Sequence, residues 1–158
     1  GLALADSVTA ANEAGATLKA NAGWQPVAEM RRYFERGDIV LLRTDWPRKV
    51  DVASEDFWRR APFTGRSGAE WLVARGAKAV GYDYPPDFCI RTSTFEPGVK
   101  LAPEDHVTHY VFFPRGITVI EYLTNLDAIG APRCQFMALP LKIEGSDGSP
   151  VRAIALVE

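Results

Sequence analysis

Cysteine and histidine are both scarce in this sequence. Its 158 residues contain two of each. The cysteines, Cys89 and Cys134, form no CxxC pair, which excludes the usual structural zinc finger. A disulfide between them is still open, although two buried thiols in a cytoplasmic protein are the simpler interpretation.

The sequence also lacks the features of proteins that bind membranes or nucleic acids. It has no apolar run approaching the ~20 residues that span a bilayer, so we expect no membrane segment. A net charge of −2 and a pI near 5.8 leave no basic excess, so we expect no nucleic-acid partner. The first residues lack an initial methionine and the basic segment of a signal peptide. We therefore expect a cytoplasmic protein whose sequence starts at a cleavage point or within a longer chain.

The overall composition is typical of one soluble domain covering 1–158. The chain is 47% hydrophobic and 24% charged. At this length a folded chain buries roughly 68–70% of its extended surface, so a stable core needs neither disulfides nor metals.

Local patterns predict a strand–helix–strand unit in the first half of the chain. A helix is expected over 24–37, and an apolar, β-branched strand follows over 38–44. A second helix is expected from a capping box at Ser67 and Glu70 to a stop at Gly76, and the next strand follows it. This order is typical of α/β folds with a partly parallel sheet.

The second half reads as short strands separated by loops. A long connection over 85–105 is rich in proline, and long loops are often functional. A short helix or turn ends near Gly116, and strands are expected in ITVIEYL, QFMALPLKI and VRAIALVE. Pro140 should kink its strand or place it at a sheet edge.

Glu121 is the most unusual residue of the apolar stretch TVIEYL. If that strand alternates strictly, Val119, Glu121 and Leu123 share one face, where a carboxylate is costly unless it is paired. An ion pair with Arg43 or Arg152 would satisfy Glu121, and so would a metal ion. The isolated residue leaves both interpretations open.

The remaining candidates are weaker when taken alone. A lone histidine such as His109 is more often a surface or core residue than a ligand, and its spacing from Glu121 is not that of HExxH. Asp83 and Asp87 lie at the end of a predicted strand, where α/β sheets place their sites. Aspartates beside proline also simply form turns.

Four blocks of the sequence resemble, in order, the C-terminal half of the metal-dependent cyclase family, which includes kynurenine formamidases and isatin hydrolase. The blocks read GDIVLLRTDW, GAEWLVARGAKAVGYDY, HYVFFPRGITVIEYLTNLD and PLKIEGSDGSPVRAIAL. They extend from about Gly37 to the end of the chain, and residues 1–36 match poorly. The resemblance implies an α/β (α+β) fold of the cyclase-like swivelling β/β/α type, with a mixed, barrel-like sheet and flanking helices.

The resemblance also implies a metal centre. The family builds it from an HxGTHxDxPxH motif and from a later histidine and glutamate, whose positions His109 and Glu121 match. The cofactor would be a divalent metal, zinc or manganese. Two protein ligands are too few for a tight catalytic site, so we expect this chain alone to bind metal weakly.

Neighbours of the two ligands are candidates for the substrate pocket, namely Tyr82, Asp83, Asp87 and His106. No catalytic residue can be assigned, because the HxGTHxDxPxH motif is absent from the sequence. The implied function is a metal-dependent hydrolase that cleaves the C–N bond of a small amide, formamide or cyclic amide. Its site would be completed by a missing N-terminal half or a second chain, and the enzyme would be a homo-oligomer.

A second interpretation also fits the missing motif, although the intact pair of His109 and Glu121 favours the first. The chain would then be a non-catalytic structural or interaction subunit that keeps only the cyclase scaffold. That interpretation predicts a glutamate paired with an arginine and a histidine that lies elsewhere.

Overall fold

A four-stranded parallel sheet lies at the centre of the computed structural model, which describes residues 2–3 and 34–157. Its strands, in spatial order, are β1 (Leu2–Ala3), β2 (Ile39–Leu42), β3 (Ala79–Tyr82) and β4 (Thr118–Ile120). The register pairs Val40 with Val80 and Val80 with Val119. The described side chains of β2 and β3 are apolar and mostly buried, as expected for strands covered on both faces.

Short helices connect these strands. They are α1 (Trp46–Lys49), α2 (Glu55–Arg59), α3 (Arg66–Arg75), α4 (Ile90–Phe95) and α5 (Val107–Phe112), with 3₁₀ turns at Pro103–Asp105, Phe113–Arg115 and Leu126–Ile129. The parallel pairing of β2 with β3 across α3 confirms the predicted strand–helix–strand unit.

The two ends of α3 test the predicted helix signals. Gly76 has a φ of 79°, and its N–H donates to the carbonyls of Leu72 and Val73, so the predicted stop is confirmed. The predicted capping box is wrong, because the helix begins after Gly65 and Ser67 already lies in its first turn.

Helices cover one face of the sheet. Val40 and Val80 point toward this side and pack with Leu72 of α3 and with Val111 and Phe112 of α5. All five side chains are almost completely buried. This contact fixes α5 beside the ends of β3 and β4.

An antiparallel hairpin covers the opposite face. Its strands are β5 (Gln135–Pro140) and β6 (Val151–Leu156). Among the described strands, each of the two pairs only with the other. Phe136 packs with Leu41 and Ile120 of the parallel sheet. The layers are therefore helices, parallel sheet and hairpin, in a mixed α/β fold. The expected barrel-like sheet is not found in the described part, since the hairpin stacks on the parallel sheet without hydrogen-bonding to its edge.

The connection predicted over 85–105 contains α4 and a 3₁₀ turn, whereas other predicted elements change mainly in length. The strand expected over 38–44 is four residues long, and the final strand ends at Leu156. Pro140 is the last residue of β5, at a sheet edge as predicted. The helix expected over 24–37 lies mostly outside the described residues. Within the described part, no helix has the length and apolar character needed to cross a membrane.

Candidate metal centre

His109 stands between two carboxylates. It lies in α5, and its Nδ1 is 2.7 Å from Oδ2 of Asp87. Its Nε2 is 3.7 Å from Oε1 of Glu121. The side chain is 37% exposed, so the ring has one open side. The structure therefore brings the two predicted ligands together, with a second carboxylate, that of Asp87, on the other side of the imidazole.

Asp87 is held rigidly in the loop after β3. Its side chain is 1% exposed, and its Oδ1 accepts a hydrogen bond of 2.7 Å from the backbone N–H of Thr108. The loop itself is anchored where the N–H of Thr64 donates to the carbonyl of Pro86 at 2.8 Å. Both oxygens of Asp87 are thus engaged by the first turn of α5, one through its backbone and one through His109.

Glu121 reaches the site because the chain turns immediately after β4. The next residue, Tyr122, has a φ of 56°, a left-handed conformation that is uncommon for a bulky side chain. Leu123 then donates its N–H to the carbonyl of Tyr82 at 2.7 Å. The predicted strict alternation is therefore wrong. Val119 packs on the helical side of the sheet, whereas Leu123 packs on the hairpin side.

A glycine in β3 makes room for this turn. A Cβ on Gly81 would lie 2.7 Å from Cδ1 of Leu123 and 2.8 Å from Cδ2 of Leu41. Such approaches are far shorter than normal carbon contacts. Gly81 therefore allows Leu123 to lie against the sheet and fixes the loop that carries Glu121.

The surroundings raise the pKa of both predicted ligands. The hydrogen bond that His109 donates to Asp87 raises the pKa of His109, partial burial lowers it, and the charges of Asp87 and Glu121 raise it further. Burial raises the pKa of Glu121, His109 opposes this, and the charge of Asp87 adds to it. Oε1 of Glu121 is buried and has no hydrogen-bond partner among the described residues. A buried acceptor of this kind is costly, which marks the position as one that a ligand could satisfy.

The pair has a geometry that suits a shared cation. Two atoms each about 2.0–2.2 Å from one zinc ion lie roughly 3–4 Å apart. The 3.7 Å between Nε2 of His109 and Oε1 of Glu121 falls in this range and exceeds a hydrogen bond. Within residues 34–157, however, no group of three His, Cys, Asp or Glu side chains converges to hold a metal. The described chain therefore offers two donors.

His109 and Glu121 line a large open groove of about 1450 Å³. Its walls are the end of β4, the following loop and the hairpin. Near the donors the walls include Phe113, whose ring centroid is 4.8 Å from that of His109, and Tyr122. A small molecule in this groove could therefore reach both donors.

The other predicted pocket residues lie away from the groove surface. Tyr82 is completely buried beside Tyr84, and burial raises its pKa well above the ordinary value. Asp83 accepts hydrogen bonds from the N–H groups of Thr44 and Asp45, and from the Thr44 hydroxyl at 2.7 Å. Asp83 thus joins the ends of β2 and β3, and substrate contact by either residue stays a prediction.

His106 has a different neighbour. Its Nδ1 is 3.4 Å from Sγ of the buried Cys89, and its ring centroid is 6.1 Å from that of His109. Burial raises the pKa of the Cys89 thiol to about 11, so the thiol stays protonated near neutral pH. The predicted place of His106 at the substrate pocket likewise stays a prediction.

Two features of the site were not predicted from the sequence, namely the contact between Asp87 and His109 and the left-handed turn at Tyr122. Asp87 lies 22 positions before His109, and only the packing of α5 against the loop brings them together. The left-handed Tyr122 carries neither glycine nor asparagine, the residues that usually mark such a turn. Its ring instead packs edge-on against Trp58, with centroids 5.7 Å apart.

The sequence has counterparts among known proteins. A model of the family described as "Putative cyclase" matches residues 6–86, a range that includes most of segment 1–36 and precedes both candidate ligands. The chain is 33% identical over 115 residues to a kynurenine formamidase of Bordetella petrii, covering 73% of this chain and 47% of that protein. It is 29% identical over 126 residues to an isatin hydrolase of Roseibium aggregatum, covering 77% and 45%. The chain thus spans about half the length of the curated relatives it matches.

Solved structures agree with this relationship. A protein described as a "potential metal-dependent hydrolase with cyclase activity" matches with a TM-score of 0.55 and 28% identity, over 77% of this chain and 52% of that one. Isatin hydrolase A from Labrenzia aggregata matches with a TM-score of 0.68 over 99% of this chain and 59% of that one. At 20% sequence identity, this structural match shows a shared fold alone.

Proposed function

Since this chain belongs to the cyclase family, we propose that His109 and Glu121 are two ligands of a divalent metal, zinc or manganese, in a hydrolase of small amides. The substrate would be a formamide or a cyclic amide whose C–N bond is cleaved. Similarity to kynurenine formamidases and to isatin hydrolase supports this substrate class.

One observation carries the metal role. The buried Oε1 of Glu121 faces Nε2 of His109 at 3.7 Å without a hydrogen bond, so both atoms have a lone pair available on the same side. An arginine partner for Glu121 would have favoured a non-catalytic subunit. The ion pair described for Glu121 is instead with His109, and Arg43 pairs with Asp45.

The residues of this chain have separate tasks in the proposed reaction. A divalent metal held here would polarise the amide carbonyl and lower the pKa of a water molecule. His109 offers a neutral nitrogen donor, and Glu121 offers a negative charge in a half-buried position. The ring of Phe113 packs edge-on with the imidazole and adds an apolar surface beside the donors. The groove leaves space for a small amide beside the donors.

Further ligands and the group that moves the substrate proton would come from an N-terminal half of the fold or from a partner chain. Catalytic zinc usually has three protein ligands, and the described residues supply two. A homo-oligomeric assembly and a cytoplasmic location belong to the same proposal.

Metal titration of the chain tests the proposal directly. Zinc or manganese should bind weakly to the wild type, and Glu121→Gln and His109→Gln should each abolish binding. Glu96→Gln and His106→Gln are matched controls, because the first side chain is exposed and the second contacts Cys89. Equal binding by all five proteins would overturn the metal role.

Activity requires the rest of the fold. The chain should be combined with the N-terminal half of the Bordetella petrii kynurenine formamidase and assayed for hydrolysis of a formamide and of a cyclic amide. Hydrolysis that needs metal and is lost in Glu121→Gln supports the proposal. A stable, metal-loaded complex without hydrolysis of either substrate would overturn the substrate class.

A further inference from the structure

We propose that Asp87 is a positioning residue that keeps the proton of neutral His109 on Nδ1 and thereby leaves Nε2 free to bind a ligand toward Glu121. The role at the metal rests on the proposed function, whereas the control of the imidazole proton rests on the geometry around Asp87 alone.

The hydrogen bonds of Asp87 define this role. Its Oδ1 accepts from the N–H of Thr108, and its Oδ2 lies 2.7 Å from Nδ1 of His109. An ionised carboxylate has only acceptors, so the atom between Oδ2 and Nδ1 must be a proton carried by the nitrogen. A neutral imidazole has a single N–H, and Nε2 is then an acceptor or a metal ligand.

The rigidity of Asp87 makes the control effective. The side chain is 1% exposed, and its contact with the backbone of Thr108 ties it to the same helical turn that carries His109. The hydroxyl of Thr108 also lies 3.3 Å from Nδ1, but this contact is longer than that of Asp87. The imidazole is therefore fixed both in tautomer and in ring orientation.

The tautomer of His109 matters for ligand binding because its Nε2 faces Oε1 of Glu121. If the proton were on Nε2, it would point toward Oε1 of Glu121 and block that side from a cation. Carboxylates that accept a hydrogen bond from a ligating histidine typically improve metal affinity 10–100-fold. Asp87→Asn should therefore weaken metal binding by that factor. Its amide can donate to Nδ1 while its oxygen accepts from Thr108, which moves the imidazole proton to Nε2.

Nitrogen NMR of the full chain tests the tautomer without metal or substrate. The sequence has two histidines, so ¹⁵N-labelled His106→Gln contains a single imidazole to observe. At a pH where His109 is neutral, Nδ1 should carry the proton in this protein. Adding Asp87→Asn should move the proton to Nε2. Asp83→Asn is the matched control, because Asp83 is also buried after β3 but contacts Thr44.

The outcomes separate this inference from the proposed function. A proton on Nε2 in the protein with native Asp87, or an unchanged tautomer in Asp87→Asn, would overturn the inference. The first measurement needs no change at Asp87, so it decides the matter even if that variant fails to fold. A proton on Nδ1, together with an Nε2 signal that does not respond to zinc, would support the control by Asp87 and overturn the metal role.

Discussion

Replacing Glu121 with glutamine asks whether this carboxylate is kept for binding at the expense of stability. Its Oε1 is buried without a hydrogen-bond partner among the described residues, and burial raises its pKa. Glutamine has nearly the same shape and no charge. Its amide can also donate a hydrogen bond to neutral His109, which an ionised carboxylate cannot do.

The size of the effect follows from two opposing contributions. An unsatisfied buried polar group costs about 1–3 kcal/mol. The attraction between Glu121 and His109, at 3.7 Å and partly exposed, returns at most about 1 kcal/mol. The metal-free variant should therefore be more stable than the wild type by about 1–2 kcal/mol. For a chain of this length, that gain raises the Tm by roughly 2–8 °C.

The pH dependence gives the prediction a second check. The folded-state pKa of Glu121 lies above its ordinary value, so this group favours folding in acid and loses that contribution as the pH rises through the folded-state pKa. The wild type and Glu121→Gln should therefore have similar stability in acid, and their stabilities should diverge as the pH rises through the folded-state pKa of Glu121. The pKa of His109 is also raised. While His109 is protonated, its positive charge stabilises ionised Glu121, so the stability difference between the two proteins reaches its full size only once His109 is neutral.

Urea unfolding in the presence of a chelator, from about pH 4 to about pH 9, measures these differences. Glu96→Gln serves as the control, since that side chain is exposed and should show no such pattern. A Glu121→Gln variant that is less stable than the wild type near pH 8, or a stability difference that does not change with pH, would refute the cost assigned to Glu121. Added zinc should stabilise the wild type and leave the variant unchanged.

Three further predictions concern the packing around Gly81, the buried hydrogen bonds of Asp83, and the competition between protons and zinc for His109. Gly81→Ala should destabilise the chain by about 1–3 kcal/mol because its Cβ would overlap two leucine side chains, whereas Gly148→Ala, with open space around it, should leave unfolding in urea unchanged. Asp83→Ala should cost about 3 kcal/mol in thermal unfolding, because it leaves buried donors of Thr44 without an acceptor, and a loss below 1 kcal/mol would contradict this. Zinc affinity should fall as the pH drops through the raised pKa of His109, since the proton competes for Nε2, and calorimetric titrations that give a constant affinity would refute that role.

The strand–helix–strand unit was predictable because its signals are local. An apolar, β-branched run is typical of a buried strand wherever it occurs, and Gly76 ends α3 by a conformation that glycine adopts easily. The start of α3 was predicted less well. Ser67 and Glu70 satisfy the spacing of a capping box, yet the helix begins after Gly65, since the boundary also depends on how the helix packs on the sheet.

The candidate site was predictable in part. Its two donors followed from the resemblance of one sequence block, and the structure places them 3.7 Å apart. The direction of Glu121 was not predictable from alternation, because the strand ends at Ile120 and the chain enters a left-handed turn at Tyr122. Nothing in the local sequence marks that turn, and the Tyr122 ring packs edge-on against Trp58, a residue distant in sequence.

The parallel βαβ order, the last two strands and the family could be read from local sequence, because periodicity, turn residues and motif blocks are properties of neighbouring residues. The carboxylates that surround His109 could not, because they depend on the packing of distant segments. Asp87 comes from the loop after β3 and Glu121 from the end of β4, and these segments meet through the packing of α5 on the sheet. Asp83 and Asp87 look alike in sequence, but one joins two strands and the other holds the imidazole. Their different roles arise from contacts between distant segments.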